Sequence, residues 1–330
     1  MRVTNIETTR RFLELVNQQR FNLSEVQQQL STGIKVATPS DDPGRAGTIA
    51  QFNSTLERIS RHKERMGYAT NILSQQENLL AQTNDLLVRA RELATQGGNG
   101  TMSVEGRQQI ADEVWQIRDN LVALANTTVQ GRYIFHGARD DTPPFVEAGY
   151  ANPATGSPSE RYIYDITAAG YDQTRSVNIT DSLSVRINTP GNQIFSNAIA
   201  AVERLGRALD GYDTLPAAPA LPDGTGNAFT FPQDYDLQTA DILEAMDLIE
   251  TARSTEVGPE RSDIAGRVAR IDLASGILDT VKVDTENARA AIRDTDVVEA
   301  ASLFQNYQTS LEATLASGAQ LTRLSLLDFI

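Results

Sequence analysis

Phe52, Ile59, Met66, Leu73, Leu80, Leu87 and Ala94 stand seven residues apart without a miss. A seven-residue apolar period kept up over this distance indicates one long helix presenting a coiled-coil seam. Leu56 joins at the intervening position, but Lys63, Thr70, Glu77, Asn84 and Arg91 keep most of that second line polar. The start is marked by Ser40-Asp41-Asp42, which offer an N-cap and first-turn acids, and by Pro43 at the first helical position. Gly97-Gly98-Asn99-Gly100 marks the end. Roughly 50 residues at helical rise give a rod of about 75–80 Å. A rod of that length does not curl into a globule, so the fold is mainly α, an elongated antiparallel helical bundle or coiled coil.

Working outward, Ile110, Val114, Ile117, Leu121 and Leu124 step in threes and fours after Ser103. The short glycine turn makes this second helix the antiparallel neighbour of the first. Ile264, Val268, Ile271 and Leu278 recur at compatible spacing in a third helix, opened by Pro259-Glu260. Between them the texture changes. Arg132 to His136, Tyr162 to Ile166 and Ser182 to Ile187 read as strands, separated by turn-rich stretches such as Thr142-Pro143-Pro144. Residues 132–254 therefore read as a small, β-rich α+β insert with a helix near 193–210 and an irregular proline-rich loop over 211–232, and a helix near 237–256 leads back to the rod. The expected division is a terminal coiled-coil segment (1–42 plus 293–330), a helical rod (43–131 plus 255–292), and the insert.

Both ends carry amphipathic stripes. Ile6 and Leu13 share one line, and Val16, Leu23 and Leu30 the next, although Thr9, Arg20 and Gln27 interrupt them. Near the other end Val297, Ala301, Phe304, Leu311 and Leu315 repeat the pattern, and Leu321 and Leu324 extend it. Asp294-Thr295-Asp296 supplies the N-cap there. Neither end helix has a sequence-local partner, so each must bury its stripe against the other or against another molecule. Helices this interrupted are marginal alone, and the termini are expected to be flexible in a free monomer.

Composition narrows the function classes. The chain has 330 residues and no cysteine, which excludes disulfides, thiolate nucleophiles and cysteine-based zinc sites. The net charge of −14 lies wholly beyond Gly131, and residues 140–250 hold 17 acids against five bases. An acidic middle argues against nucleic-acid binding, which needs clustered Lys and Arg. No cleavable leader is visible at the start, and no apolar run reaches the ~20 residues of a membrane span. His62, within Arg61-His62-Lys63-Glu64-Arg65, reads as part of a solvated face, and His136 as structural. Neither has ligand-spaced partners, so no metal is expected. The glycine turn is no phosphate loop, since no strand precedes it and no Gly-Lys-Ser/Thr follows. With no nucleophile–base constellation above background, neither a catalytic site nor a cofactor is expected.

Three local texts fit together. Leu30-Ser31-Thr32-Gly33 leads through Thr38-Pro39-Ser40-Asp41-Asp42-Pro43 into the rod. Gly131-Arg132-Tyr133-Ile134-Phe135 leads to Asp141-Thr142-Pro143-Pro144-Phe145, and the chain closes on Leu324-Ser325-Leu326-Leu327-Asp328-Phe329-Ile330. The chain resembles the bacterial flagellin family over roughly residues 1–145 and 255–330. The Asp-Thr-Pro-Pro-Phe segment and the closing residues favour the hook-associated branch that joins hook to filament.

The resemblance implies that the end helices pair into an innermost layer with the insert pointing outward. Ile6, Leu13, Val16, Leu23, Leu30, Val297, Phe304, Leu311, Leu315, Leu321, Leu324, Leu327, Phe329 and Ile330 would carry assembly. Implied partners are further copies in a ring or helical oligomer, flagellin, the first hook-associated protein, and a cytosolic chaperone on the C-terminal helix. Export through the flagellar apparatus without a cleaved signal would place the chain outside the cell. Filament flagellin itself and a secreted coiled-coil binding module are the rival readings, and an enzyme is a distant third.

Overall fold

The computed structural model describes residues 2–138, 140–147, 161–167, 170–212 and 228–327. Contacts divide the chain into two compact units, residues 1–60 with 278–330, and residues 61–277. Seven α-helices are described: α1 (Arg2–Thr32), α2 (Pro43–Gly97), α3 (Val104–Ala125), α4 (Ser196–Asp210), α5 (Tyr235–Ala252), α6 (Gly258–Arg293) and α7 (Val297–Leu327).

The start of α2 falls at Pro43 as expected. Asp42 accepts the Arg45 amide at 3.0 Å, while Asp41 closes the preceding turn by accepting the amides of Ala37 (2.9 Å) and Thr38 (2.8 Å) and the Thr38 hydroxyl (2.8 Å). These hydrogen bonds from Thr38 hold the Asp41 carboxyl below the ordinary carboxylate range.

In the larger unit the ladder forms the core: Met66 is 3% exposed and Leu73, Leu80, Leu87 and Ala94 are 0% exposed. Its companion line differs from the expectation. The Leu56/Lys63/Thr70 line stays partly exposed or open, and the second buried line is His62, Ala69, Gln76, Thr83, Ala90 and Gly97. This line is made of small and polar residues, so apolar periodicity did not reveal it. Its polar members are hydrogen-bonded: Gln76 donates to the Ile187 carbonyl at 2.8 Å and Thr83 to the carbonyl of Leu79 at 2.9 Å. His62 is therefore buried, not on a solvated face, with Nε2 3.3 Å from the Asp181 carboxylate.

Ser103 caps α3 by accepting the Gly106 amide, and α3 buries Ile110, Val114, Ile117 and Leu121 as expected. Arg89 pairs with Glu113 at 2.7 Å, and a Cβ at Gly97 would run into Leu209 and touch Ile110, which explains why glycine ends α2. The closest helix approaches are α3 with α4 and α4 with α5. They are permitted by Gly206, whose missing side chain leaves room for the Trp115 ring, and by Ala198, Ala201, Ala208 and Ala245.

Among the described residues, the insert and its entry form three separate two-stranded antiparallel sheets. β1 (Thr128–Val129) pairs with β2 (Arg132–Tyr133) across Gln130 and Gly131, both at positive φ, as a tight twisted hairpin requires. β3 (Phe145–Glu147) pairs with β4 (Tyr162–Tyr164), and β5 (Ser176–Asn178) with β6 (Ser184–Arg186). All three expected strands are thus present but shorter than read. Ile134, Phe135 and His136 leave the ladder for the interior, where the Phe135 carbonyl accepts the Gly191 amide at 2.7 Å. Phe135, Phe145, Tyr164 and Phe195 form an edge-to-face cluster. Burial there pushes the Tyr164 phenol up to about 12.

The helical path that α5 begins does not break before Pro259. It passes through a π-helical turn, Arg253–Val257, directly into α6. The wider turn lets the Gly258 amide reach the Arg253 carbonyl, directly before Pro259, which has no amide hydrogen to donate. The expected helix start at Pro259 is therefore an internal irregularity of a longer helical path. The expected loop over 211–232 is described only at its ends, where Tyr212 bridges to Ala228; residues 213–227 lie outside the described residues.

Candidate assembly interface

The smaller unit is organised by α1 and α7, which pack on each other. The turns at their ends fix the pairing. Gly33, at φ +70°, stops α1, a left-handed position that a side chain would strain. The strand-like residues that follow then bond to the α6–α7 turn. Lys35 and Val36 amides donate to the Arg293 carbonyl at 2.7 and 3.2 Å, and the Thr295 amide donates to Gly33 at 2.9 Å. Asp296 caps α7 by accepting the Val298 and Glu299 amides at 2.9 and 3.2 Å, which places the expected cap on the last acid of Asp294-Thr295-Asp296. Lys35 and Glu299 lie 3.7 Å apart but are largely exposed, so this pair adds little.

The inward stripe of α1 combines Val16, Leu23 and Leu30 with Phe12, Gln19 and Val26; Leu13 does not take part. On α7 the inward stripe is Ala300, Phe304, Tyr307, Leu311, Thr314 and Gly318. Each is a heptad seam with one weak line. Val16, Val26 and Ala300 are buried, whereas Leu23, Leu30, Phe304 and Leu311 are only half-buried. Gly318 is a specific fit: a Cβ added there would overlap the Phe12 ring.

The predicted assembly residues thus divide. Val16, Leu23, Leu30, Phe304 and Leu311 belong to the stripes along which α1 and α7 pair. Leu13 (54% exposed), Val297 (61%) and Leu315 (44%) face away. They share that exposure with Leu15, Phe21, Val298 and Leu303, which the sequence reading omitted. Phe21 could have been found there, since an aromatic residue off the helix's own stripe asks for another partner. Ile6 lies in α1, and Leu321, Leu324 and Leu327 lie in α7, with their side chains outside the description; Phe329 and Ile330 lie outside the described residues. No described helix is long and apolar enough to cross a membrane.

One unit is a pair of chain-end helices, and the other is a helical bundle that carries a small β-containing insert. Residues 4–140 match the bacterial flagellin N-terminal helical region. The chain is similar to flagellar hook-associated protein 3 of Escherichia coli (strain K12), 35% identical over 121 residues that cover 36% of this chain and 38% of the relative. The protein of the same description from Salmonella typhimurium is 34% identical over 122 residues, covering 37% and 38%. The matched stretch therefore spans well under half the length of these relatives. Among solved structures, the flagellar junction protein FlgL of Legionella pneumophila shares the fold, with a TM-score of 0.54 at 16% identity over 76% of this chain and 100% of that one. These relatives are flagellar parts and none is described as an enzyme, in agreement with the sequence reading.

Proposed function

We propose that this chain is the structural adaptor at the hook–filament junction of the bacterial flagellum. The observation that carries the reading is the outward apolar set of the smaller unit, Leu13, Leu15, Phe21, Val297, Val298, Leu303 and Leu315. Scattered apolar residues are ordinary on a surface, but seven large ones on one pair of helices ask for a partner surface. Further copies of the chain supply it, through head-to-tail contacts that close into a ring or continue as a helix. Similarity to two hook-associated proteins supports the junction over the filament.

On this reading residues 1–42 with 293–330 form the assembly segment, 43–131 with 255–292 the rod, and 132–254 the outward-facing part. The first hook-associated protein lies on one side and flagellin on the other. The subunit works outside the cell, leaving without a cleaved signal after a cytosolic chaperone has held its C-terminal helix.

Deleting the gene and counting hooks by electron microscopy tests the proposal. Hooks without filaments, with flagellin monomer in the medium, are expected. Full-length filaments on intact hooks in the deletion strain would refute it.

A further inference from the structure

The turn between α2 and α3 carries the chain's one Asn-Gly pair, Asn99-Gly100. In such a pair the glycine amide nitrogen can reach the asparagine Cγ, because no Cβ obstructs the approach. Both residues are exposed. The Asn99 side-chain carbonyl accepts from the Thr101 amide at 3.2 Å and hydroxyl at 3.0 Å, which makes its carbon more electrophilic. Its amide nitrogen, the leaving group, donates no hydrogen bond among the described residues. Other asparagines are held differently. Asn126 is clamped at both ends, its Nδ2 on the Phe145 carbonyl and its Oδ1 on the Phe145 amide, each at 2.9 Å. Asn188 donates to the Gly137 carbonyl at 2.8 Å, and Asn53 lies inside α2, where the next backbone nitrogen is committed to the helix.

The same turn lies on an unusual cation. Arg107 is fully buried, and its guanidinium donates to Gln238 Oε1 (2.5 Å), Thr239 Oγ1 (3.0 Å) and the Asn99 carbonyl (3.4 Å), all neutral acceptors. Its buried Nε has no partner. The buried guanidinium of Arg118, by contrast, meets Asp119 at 2.7 Å, and that of Arg267 meets Glu260 at 3.1 Å. A buried charge without a counter-charge is costly.

We infer that Asn99 is a self-modifying site whose product supplies the counter-charge that Arg107 lacks. Solvent hydroxide takes the Gly100 amide proton as that nitrogen bonds to Asn99 Cγ. The Cγ–Nδ2 bond breaks, and ammonia leaves with a proton returned from water. Water then adds to either carbonyl of the five-membered imide and reopens it as aspartate or isoaspartate. The new carboxylate sits in the turn whose backbone carbonyl already receives the guanidinium.

Full-length protein held at mildly alkaline pH should gain about 1 Da per molecule, mapped to Asn99 as a mixture of aspartate and isoaspartate. A Cβ at Gly100 meets nothing within 4 Å, so Gly100→Ala keeps the turn, and it should slow the reaction about tenfold. A mass gain mapping elsewhere, or Gly100→Ala ageing as fast as the parent, overturns the site. For the charge, Asn99→Asp should melt at a higher temperature than the parent at neutral pH, with the gain vanishing once acid protonates the new carboxylate. An equal or lower melting temperature at neutral pH overturns that half.

Discussion

The two units use the same heptad device to different ends. In the larger unit, Leu73, Leu80, Leu87 and Ala94 are fully enclosed, and the weak companion line is closed by hydrogen bonds such as that from Gln76 to Ile187. In the smaller unit, α1 and α7 meet along half-buried residues and leave large apolar side chains outside. One unit completes its core within the chain; the other stops at a helix pair and leaves large apolar side chains exposed. The difference separates residues that maintain the fold from the residues proposed above to meet a partner.

That comparison can be broken most directly at its extremes. Leu80→Ala should cost about 2–5 kcal/mol of unfolding free energy, as a fully enclosed leucine leaves a cavity. Leu13→Ala should change it by no more than about 0.5 kcal/mol, while Leu13→Asp should stop polymerisation of an otherwise folded monomer. Denaturant titration and sedimentation measure the two. Equal stability losses at both positions would erase the distinction.

Next come the polar tethers. Arg107→Ala removes a buried guanidinium and orphans Gln238, whose amide also donates to the Ala208 carbonyl at 2.8 Å, so a loss of about 2–4 kcal/mol is expected. Lys35→Ala breaks an exposed pair in the smaller unit and should cost less than about 0.5 kcal/mol in the same titration. An intermediate effect is expected at Gly318→Ala, where crowding of the Phe12 ring exceeds the helix-propensity gain and leaves a net loss on the order of 1 kcal/mol. Hydrogen exchange should speed up in α1 and α7 and stay unchanged in α3 to α5. Trimming the ring with Phe12→Leu should restore it; loosening of both units together would show that they are not separable.

The ladder was legible because a regular apolar period over many turns has few other readings, and its caps at Asp42 and Gly97 obey local rules. The second line was not, because Ala69, Gln76, Thr83 and Gly97 are buried by close approach and hydrogen bonding, and neither follows from hydrophobicity. The same blindness misplaced His62, whose charged neighbours in sequence point elsewhere on the helix. At the ends, the Val16/Leu23/Leu30 line was readable, but pairing it with Leu13 instead of Phe12 chose the wrong adjacent line, since Gln19 and Gly33 hide the true one. β1, β3 and β5 were missed for lack of length: two or three residues hold no period. The joins are also tertiary. Nothing local to Pro259 announces that a π turn will carry α5 past it.

Acid titration separates two carboxylates, one in each unit, by sign. Asp41 is held below the ordinary range by hydrogen bonds from Thr38, so its turn contributes stability above its unfolded pKa near 4, lost as pH falls through the lower folded value. Asp210 is pushed upward by burial, despite accepting the Trp115 indole N–H at 2.8 Å, and nearby Asp112 pushes the same way. Its folded pKa lies above its unfolded one, so the stability it contributes is complete below the unfolded value and is lost as pH rises through the folded value. Asp210→Asn should therefore stabilise the protein at neutral pH while retaining an oxygen to accept the indole proton. Trp115 is the only tryptophan, so its fluorescence reports the Asp210 step, and carboxyl carbon NMR reports both. Asp41 should titrate at lower pH than Asp210. The reverse order would mean that solvent reaches the α3–α4 contact as freely as it reaches the turn before α2, and the larger unit would then not be the closed core that its packing describes.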